Sequence, residues 1–257
     1  MTNKLDKAST TSICGFDEDT INVRGKDLVN DLVGKSSFTE YWLLQALGKN
    51  PSDAQIKIVD AVLVTIMEHG LVPSVISSRL TLHGAPESIQ GAVAAGILGV
   101  GDRYAGTASE CGKLFNRVAE ANNPESEALN IVKEHRSTKK PLPGFGHPIH
   151  KGTDPRVNKL IEICEFCETD GKYLKAMRLL RKTLSDELGK EIVTNVSAAI
   201  GAVLAEASIP NEMMRGIVIT ARCAGIIGHL LEENLNPIAN DLWEGAQKAV
   251  DYKKISY

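Results

Sequence analysis

Neither sign of charge dominates this chain of 257 residues: 29 Lys and Arg stand against 32 Asp and Glu, for a net charge of −3. That balance leaves no basic footprint for nucleic acid. The five cysteines are an odd number without framework spacing, which argues against a disulfide scaffold and for a reducing compartment. No run of about 18 uncharged apolar residues occurs, so no membrane span is expected. The first twelve residues, MTNKLDKASTTS, are polar and lack the apolar core of a signal peptide. A cytoplasmic location is the expectation. Clean alternation of apolar and polar residues is also missing, and with it any strand–helix–strand rhythm.

What remains is helical periodicity. FTEYWLLQALG (Phe38 to Gly48) offers Thr39 as a cap and Gly48 as a stop. Pro51-Ser52-Asp53 opens a second helix whose Ile56, Ile58, Val59, Val62, Leu63 and Ile66 suit a broad buried face, ending near Gly70. PSVISSRLTLHG reads as a helix, with a strand left open by its β-branched residues. The stretch from Ser88 to Phe115 is rich in Ala and Gly, which weaken helices by propensity and so point to close approach of a neighbouring helix or a ligand. ESEALNIVKEHRSTKK is a charged helix with a solvated face. The prediction is an all-α fold. Composition turns charged near residue 110 and apolar again near 192. A small helical domain at 112–190 is therefore expected, inserted in a large one made of 1–111 and 191–257.

Several motifs fail on inspection. GKSS (Gly34 to Ser37) lacks the leading glycine of a phosphate loop, since position 29 is Val29. GVGDRYAG has the wrong glycine spacing for a dinucleotide loop. Cys164 and Cys167 have redox or zinc spacing but no second pair, so two cysteines on a helix face is the simpler reading. KKPLPGFGHPIHKGTDPR is different. Its glycines and prolines restrict the backbone and permit close approach to a ligand. It presents His147, able to exchange a proton near neutral pH, and Arg156, whose planar fork suits a carboxylate.

That loop resembles the PG-x-GH…K…DPR segment of the citrate synthase superfamily. MEHGLVPSVISSR, IVTNVSAAIGAVLAE and ARCAGIIGHLLEE resemble three further segments of the family, in the family's order. The place where citrate synthases carry an HGG histidine reads GVGDRYAGTASE. This is similar to citryl-CoA lyase and to the citryl-CoA-cleaving module of ATP-citrate lyase, as is the ending DLWEGAQKAVDYKKISY. The resemblance implies a citrate-synthase-like fold and retro-Claisen cleavage of citryl-CoA, or a related 3-hydroxyacyl-CoA, to acetyl-CoA and oxaloacetate. It implies coenzyme A as thioester substrate, no metal or redox cofactor, and a homodimer or homotetramer that engages neither nucleic acid nor membrane.

By position, the resemblance gives catalytic roles to His147, His69 and Ser197, and carboxylate binding to Arg156 and Arg222. Pro143, Gly144, Phe145, Gly146 and Lys151 would contact CoA. His229 matches the GH of the last segment and is read as structural. One departure stands out: Ser197 occupies the place of the family's NVDG aspartate. A hydroxyl cannot match a carboxylate's charge or pKa, and loss of a general acid or base costs about 10²–10⁴ in rate. Glu68, Glu191 and Glu206 are the alternative carboxylates. A non-catalytic CoA or carboxylate-binding homologue or companion subunit, and a Claisen-type enzyme for a different 2-oxo acid, are the alternative functions.

Overall fold

A computed structural model describes residues 9–101, 107–146 and 154–255. The chain divides into two compact units, Met1–Asp60 and Ala61–Tyr257. In the first, β1 (Cys14–Phe16), β2 (Ile21–Val23) and β3 (Lys26–Asp27) form an antiparallel sheet in sequential order, with Cys14 opposite Val23 and Asn22 opposite Asp27. One π-helical turn (Leu28–Leu32) and α1 (Phe38–Leu47) follow. Val23, Leu32 and Leu44 are buried together there, with Leu28 and Tyr41 against them. Helix α1 is capped by Ser37, not by Thr39: Ser37 and Glu40 exchange the reciprocal bonds of a capping box. Thr39 lies inside the helix and its hydroxyl bonds the Asp60 carboxylate at 2.8 Å. Gly48 ends the helix in the left-handed conformation.

Helix α2 (Asp53–Met67) starts from a second reciprocal pair, with Gln55 N–H donating to Ser52 Oγ and Ser52 N–H to Gln55 Oε1. Its Ile58, Val59, Val62, Leu63 and Ile66 are buried, as the periodicity predicts.

The second unit is built of helices, with one isolated bridge between Phe145 and Thr194 among its described residues. Helix α3 (Pro73–Gly84) has its proline in the first turn, where the missing N–H costs nothing. It packs on α4 (Ile89–Leu98) and α10 (Asn211–Leu235) around Val75, Leu82, Ala92, Ile226 and Leu230. The small residues of α4 are explained by that packing: a Cβ on Gly96 would come within 2.8 Å of Ile226 and 3.0 Å of the Ser74 carbonyl. Helix α5 (Thr107–Ala119) packs on α9 (Val196–Glu206). Helix α6 (Pro124–Ser137) lies on α8 (Lys172–Leu188), and α7 (Pro155–Phe166) on α9. Helix α6 is charged on one side and buries Ala128, Ile131 and Val132 on the other. Helix α11 (Ala239–Ala249) packs on α3. By length and composition α10 is apolar enough to cross a membrane, but its Met214, Ile217, Arg222 and Ile226 are buried in the protein.

Candidate active site

All the site residues considered below belong to the second unit. Helix α2 ends with the carbonyls of its last turn lacking intrahelical partners. Arg222 of α10 supplies the donors: its Nη1 reaches Ile66 O at 3.3 Å and Met67 O at 2.9 Å. The two helices touch at Gly225, where a Cβ would lie 2.0 Å from Met67 O, so only glycine admits this approach. Arg222 is 3% exposed, and its Nη2 has no hydrogen-bond partner among the described residues. Burial pushes the guanidinium below its ordinary range, and the Glu68 carboxylate pulls the other way. A guanidinium stays charged regardless.

An unsatisfied buried donor costs about 1–3 kcal/mol, and more when charged. Arg222, His69, Ser74, Gly99 and Val100 line a small pocket. An anionic oxygen is a partner that Nη2 can take.

His69 follows α2 in a turn that Glu68 holds. The Glu68 carboxylate accepts from the N–H of His69 at 2.9 Å and of Gly70, whose φ is +70°, at 2.6 Å. His229 Nε2 lies 2.9 Å from the same carboxylate. Burial raises the Glu68 carboxyl, but the bonds from Gly70 N–H and His229 outweigh it and hold the group below its usual value.

The stem of the Pro/Gly loop is a second feature. Gly146 N–H donates to Val193 O at 2.7 Å, Asn195 N–H to Gly144 O at 3.0 Å, and Asn195 Nδ2 to Gly146 O at 3.1 Å. Phe145 bridges Thr194, and its ring meets Phe115 edge-on. Gly144 and Gly146 have φ of +86° and +90°, a region nearly closed to other residues. Asn195 also caps α9, its side chain accepting from the N–H groups of Ser197 and Ala198. One asparagine therefore ties the loop stem to the turn that carries Ser197.

Arg156 sits in the first turn of α7 and makes a two-pronged pair with Asp154, at 3.0 and 2.8 Å. Asp154 is fully buried and Arg156 is 28% exposed. The structure thus brings together His69 with Arg222, and Gly144, Phe145 and Gly146 with Ser197. Pro143 lines another pocket with Lys113 and Arg215. His147 and Lys151 lie outside the described residues.

The family model for the citrate synthase C-terminal domain matches residues 21–242. The chain belongs to the citrate synthase family. Among solved structures it is similar to citryl-CoA lyase from Hydrogenobacter thermophilus, 29% identical with a TM-score of 0.85, covering 97% of this chain and 96% of that one. It shares its fold with ATP citrate lyase from Methanothrix soehngenii, solved in complex with citrate and coenzyme A. That match is 19% identical, with a TM-score of 0.78, and covers 96% of this chain and 42% of the other. Putative citrate synthase 2 of Mycobacterium tuberculosis is 26% identical over 189 residues, 71% of this chain and 49% of the relative. The chain spans about half the length of the curated relatives it matches.

For this citrate synthase family member the alternative carboxylates separate by position. Glu206 accepts from the N–H groups of Gly171, Tyr173 and Leu174 and so caps α8. Glu191 is exposed beside Arg181. Glu68 alone of the three adjoins a residue of the Arg222 pocket. Among the described residues no group of three or more His, Cys, Asp or Glu is placed to hold a metal ion. Cys164 and Cys167 form no disulfide, and Cys164 is buried. Sequence reasoning missed Asn195, although an Asn directly before an apolar helix is a capping signal. It also missed Gly225, which stood as one small residue among several.

Proposed function

We propose that this chain is a citryl-CoA lyase-like enzyme, cleaving citryl-CoA or a related 3-hydroxyacyl-CoA to acetyl-CoA and oxaloacetate. The match to citryl-CoA lyase along nearly the whole of both chains carries the reading. The buried Arg222, whose Nη2 has no hydrogen-bond partner among the described residues, supports it, because the substrate is a carboxylate.

In this reading a base takes the proton of the tertiary hydroxyl. The oxygen electrons form the ketone of oxaloacetate, and the C–C pair passes to the thioester carbon as an enolate. A proton then completes acetyl-CoA. His147 serves the hydroxyl, His69 the polarisation or proton transfer, and Arg222 and Arg156 the carboxylates. Arg156 would exchange part of its pairing with Asp154 for substrate. The Pro143–Gly146 backbone and Lys151 contact CoA. A fixed backbone is what such contacts need, since pre-set donors and acceptors cost no ordering when the ligand arrives. The small domain at 112–190 would close over a large one of 1–111 and 191–257, in a homodimer or homotetramer.

Ser197 favours a second reading, a non-catalytic CoA or carboxylate binder that acts as companion to an active homologue. The two part in one experiment. With citryl-CoA the protein should release acetyl-CoA and oxaloacetate, and Ser197→Asp should raise the rate by about 10²-fold or more. Binding of citrate and CoA without turnover in either protein would overturn the lyase and leave the binder. Release of another 2-oxo acid from a different acyl-CoA would redirect the substrate.

A further inference from the structure

Arg79 of α3 is 1% exposed and lies among Glu232, Glu233 and His229 of α10. Its Nη1 meets Glu233 Oε2 at 2.6 Å and its Nη2 meets both Glu232 and His229 Nδ1, the latter at 2.8 Å. Glu233 is fixed in turn by the N–H groups of Ile238 and Ala239 at 2.9 and 2.8 Å. A guanidinium has donors and no acceptor. At 2.8 Å from Arg79, Nδ1 of His229 must therefore accept, and the ring proton sits on Nε2. Nε2 faces Glu68, whose oxygens lie 2.9 and 3.1 Å away. Glu68 then holds the N–H groups of His69 and Gly70.

We propose that His229 is a positioning residue: Arg79 fixes its tautomer, so that it anchors Glu68, which in turn fixes the 68–70 turn and aims His69 into the Arg222 pocket. His229 stands between a buried cation and the carboxylate that orders the turn. Its effect on turnover rests on the lyase reading, whereas its effect on His69 does not.

The test uses full-length protein with ¹⁵N-labelled histidine. A long-range ¹H–¹⁵N correlation should show His229 unprotonated at Nδ1 and protonated at Nε2, the signal being assigned by its loss in His229→Gln. In His229→Ala the ring resonances of His69 should move. In His229→Gln they should return towards wild type, because the amide N–H can bond Glu68 while its carbonyl accepts from Arg79. Where citryl-CoA is cleaved, His229→Ala should lower kcat at least tenfold with KM within threefold, and His229→Gln should stay within threefold of wild type. Glu68→Ala changes an exposed residue and should reproduce the loss, and adding His229→Ala should worsen it by less than twofold, as residues acting in one chain do.

A protonated Nδ1, or His69 resonances unmoved in both His229→Ala and Glu68→Ala, would overturn the proposal. A wild type without turnover would sink the lyase reading and leave the His69 resonances to decide this one.

Discussion

Gly144 and Gly146 offer a controlled test of why the loop stem has its shape. Both have φ near +90°, so alanine at either position meets a similar backbone penalty, about 1–2 kcal/mol. They differ in space. A Cβ on Gly144 would lie 2.7 Å from both Ala198 Cβ and Cys111 Sγ, whereas a Cβ on Gly146 meets nothing within 4 Å among the described residues. Helix α9 or α5 must move to admit Gly144→Ala, and overpacking of this kind costs about 1–3 kcal/mol. The expected losses are about 2–5 kcal/mol for Gly144→Ala and about 1–2 kcal/mol for Gly146→Ala. Each alanine also reduces the freedom of the unfolded chain, by about 0.4–1 kcal/mol, and this cancels in the comparison. With an m value of about 3 kcal/mol/M, the two urea midpoints should differ by about 0.3–1 M. Equal midpoints, or a lower midpoint for Gly146→Ala, would refute the close approach of the stem to α5 and α9.

Four other outcomes follow from the packing. Burial raises the Glu233 carboxyl, but its bonds to Arg79 and to the Ala239 and Ile238 N–H groups outweigh this and hold it below the ordinary 4.5. A depressed pKa stabilises the fold above its unfolded value and loses that stability as pH falls through the folded one. Stability measured below pH 4.5 should therefore fall less steeply in Glu233→Gln than in wild type, and parallel slopes would contradict the pairing. Gly225→Ala should lose about 1–3 kcal/mol and weaken citrate binding, because Met67 O, an Arg222 acceptor, must move. Gly228→Ala has open space, and removing a helix-interior glycine should be neutral or gain up to about 1 kcal/mol in the same denaturation assay. Glu206→Ala should cost about 1–2 kcal/mol by uncapping α8. A fall in turnover of 10²-fold or more at unchanged stability would instead make Glu206 the missing acid.

Much of the helical frame was legible because α2 and α10 bury broad apolar faces, and such faces leave a period in the sequence. The three-stranded sheet was not. Its strands have two or three residues, and β1 is exposed throughout, so no alternation builds up. The cap of α1 was misplaced by two residues because Thr39 and Ser37 are chemically equivalent until a partner is known, and Asp60 takes Thr39. At the site, His69 and Arg222 were named through the resemblance. That they line one pocket is tertiary information, as is the use of Glu206 as a cap for a helix whose first turn lies more than thirty residues before it. The buried pairing of Asp154 with Arg156 has no sequence signature beyond adjacency.

The most direct test of the account is the initial rate of acetyl-CoA release from citryl-CoA by the wild-type protein beside Arg222→Ala. Release should be accompanied by equimolar oxaloacetate. In the variant kcat/KM should fall about 10-fold to 150-fold, as expected when one charged hydrogen bond of about 1.5–3 kcal/mol is lost. A wild type that releases no acetyl-CoA while binding citryl-CoA would contradict it, and so would a variant as active as the wild type.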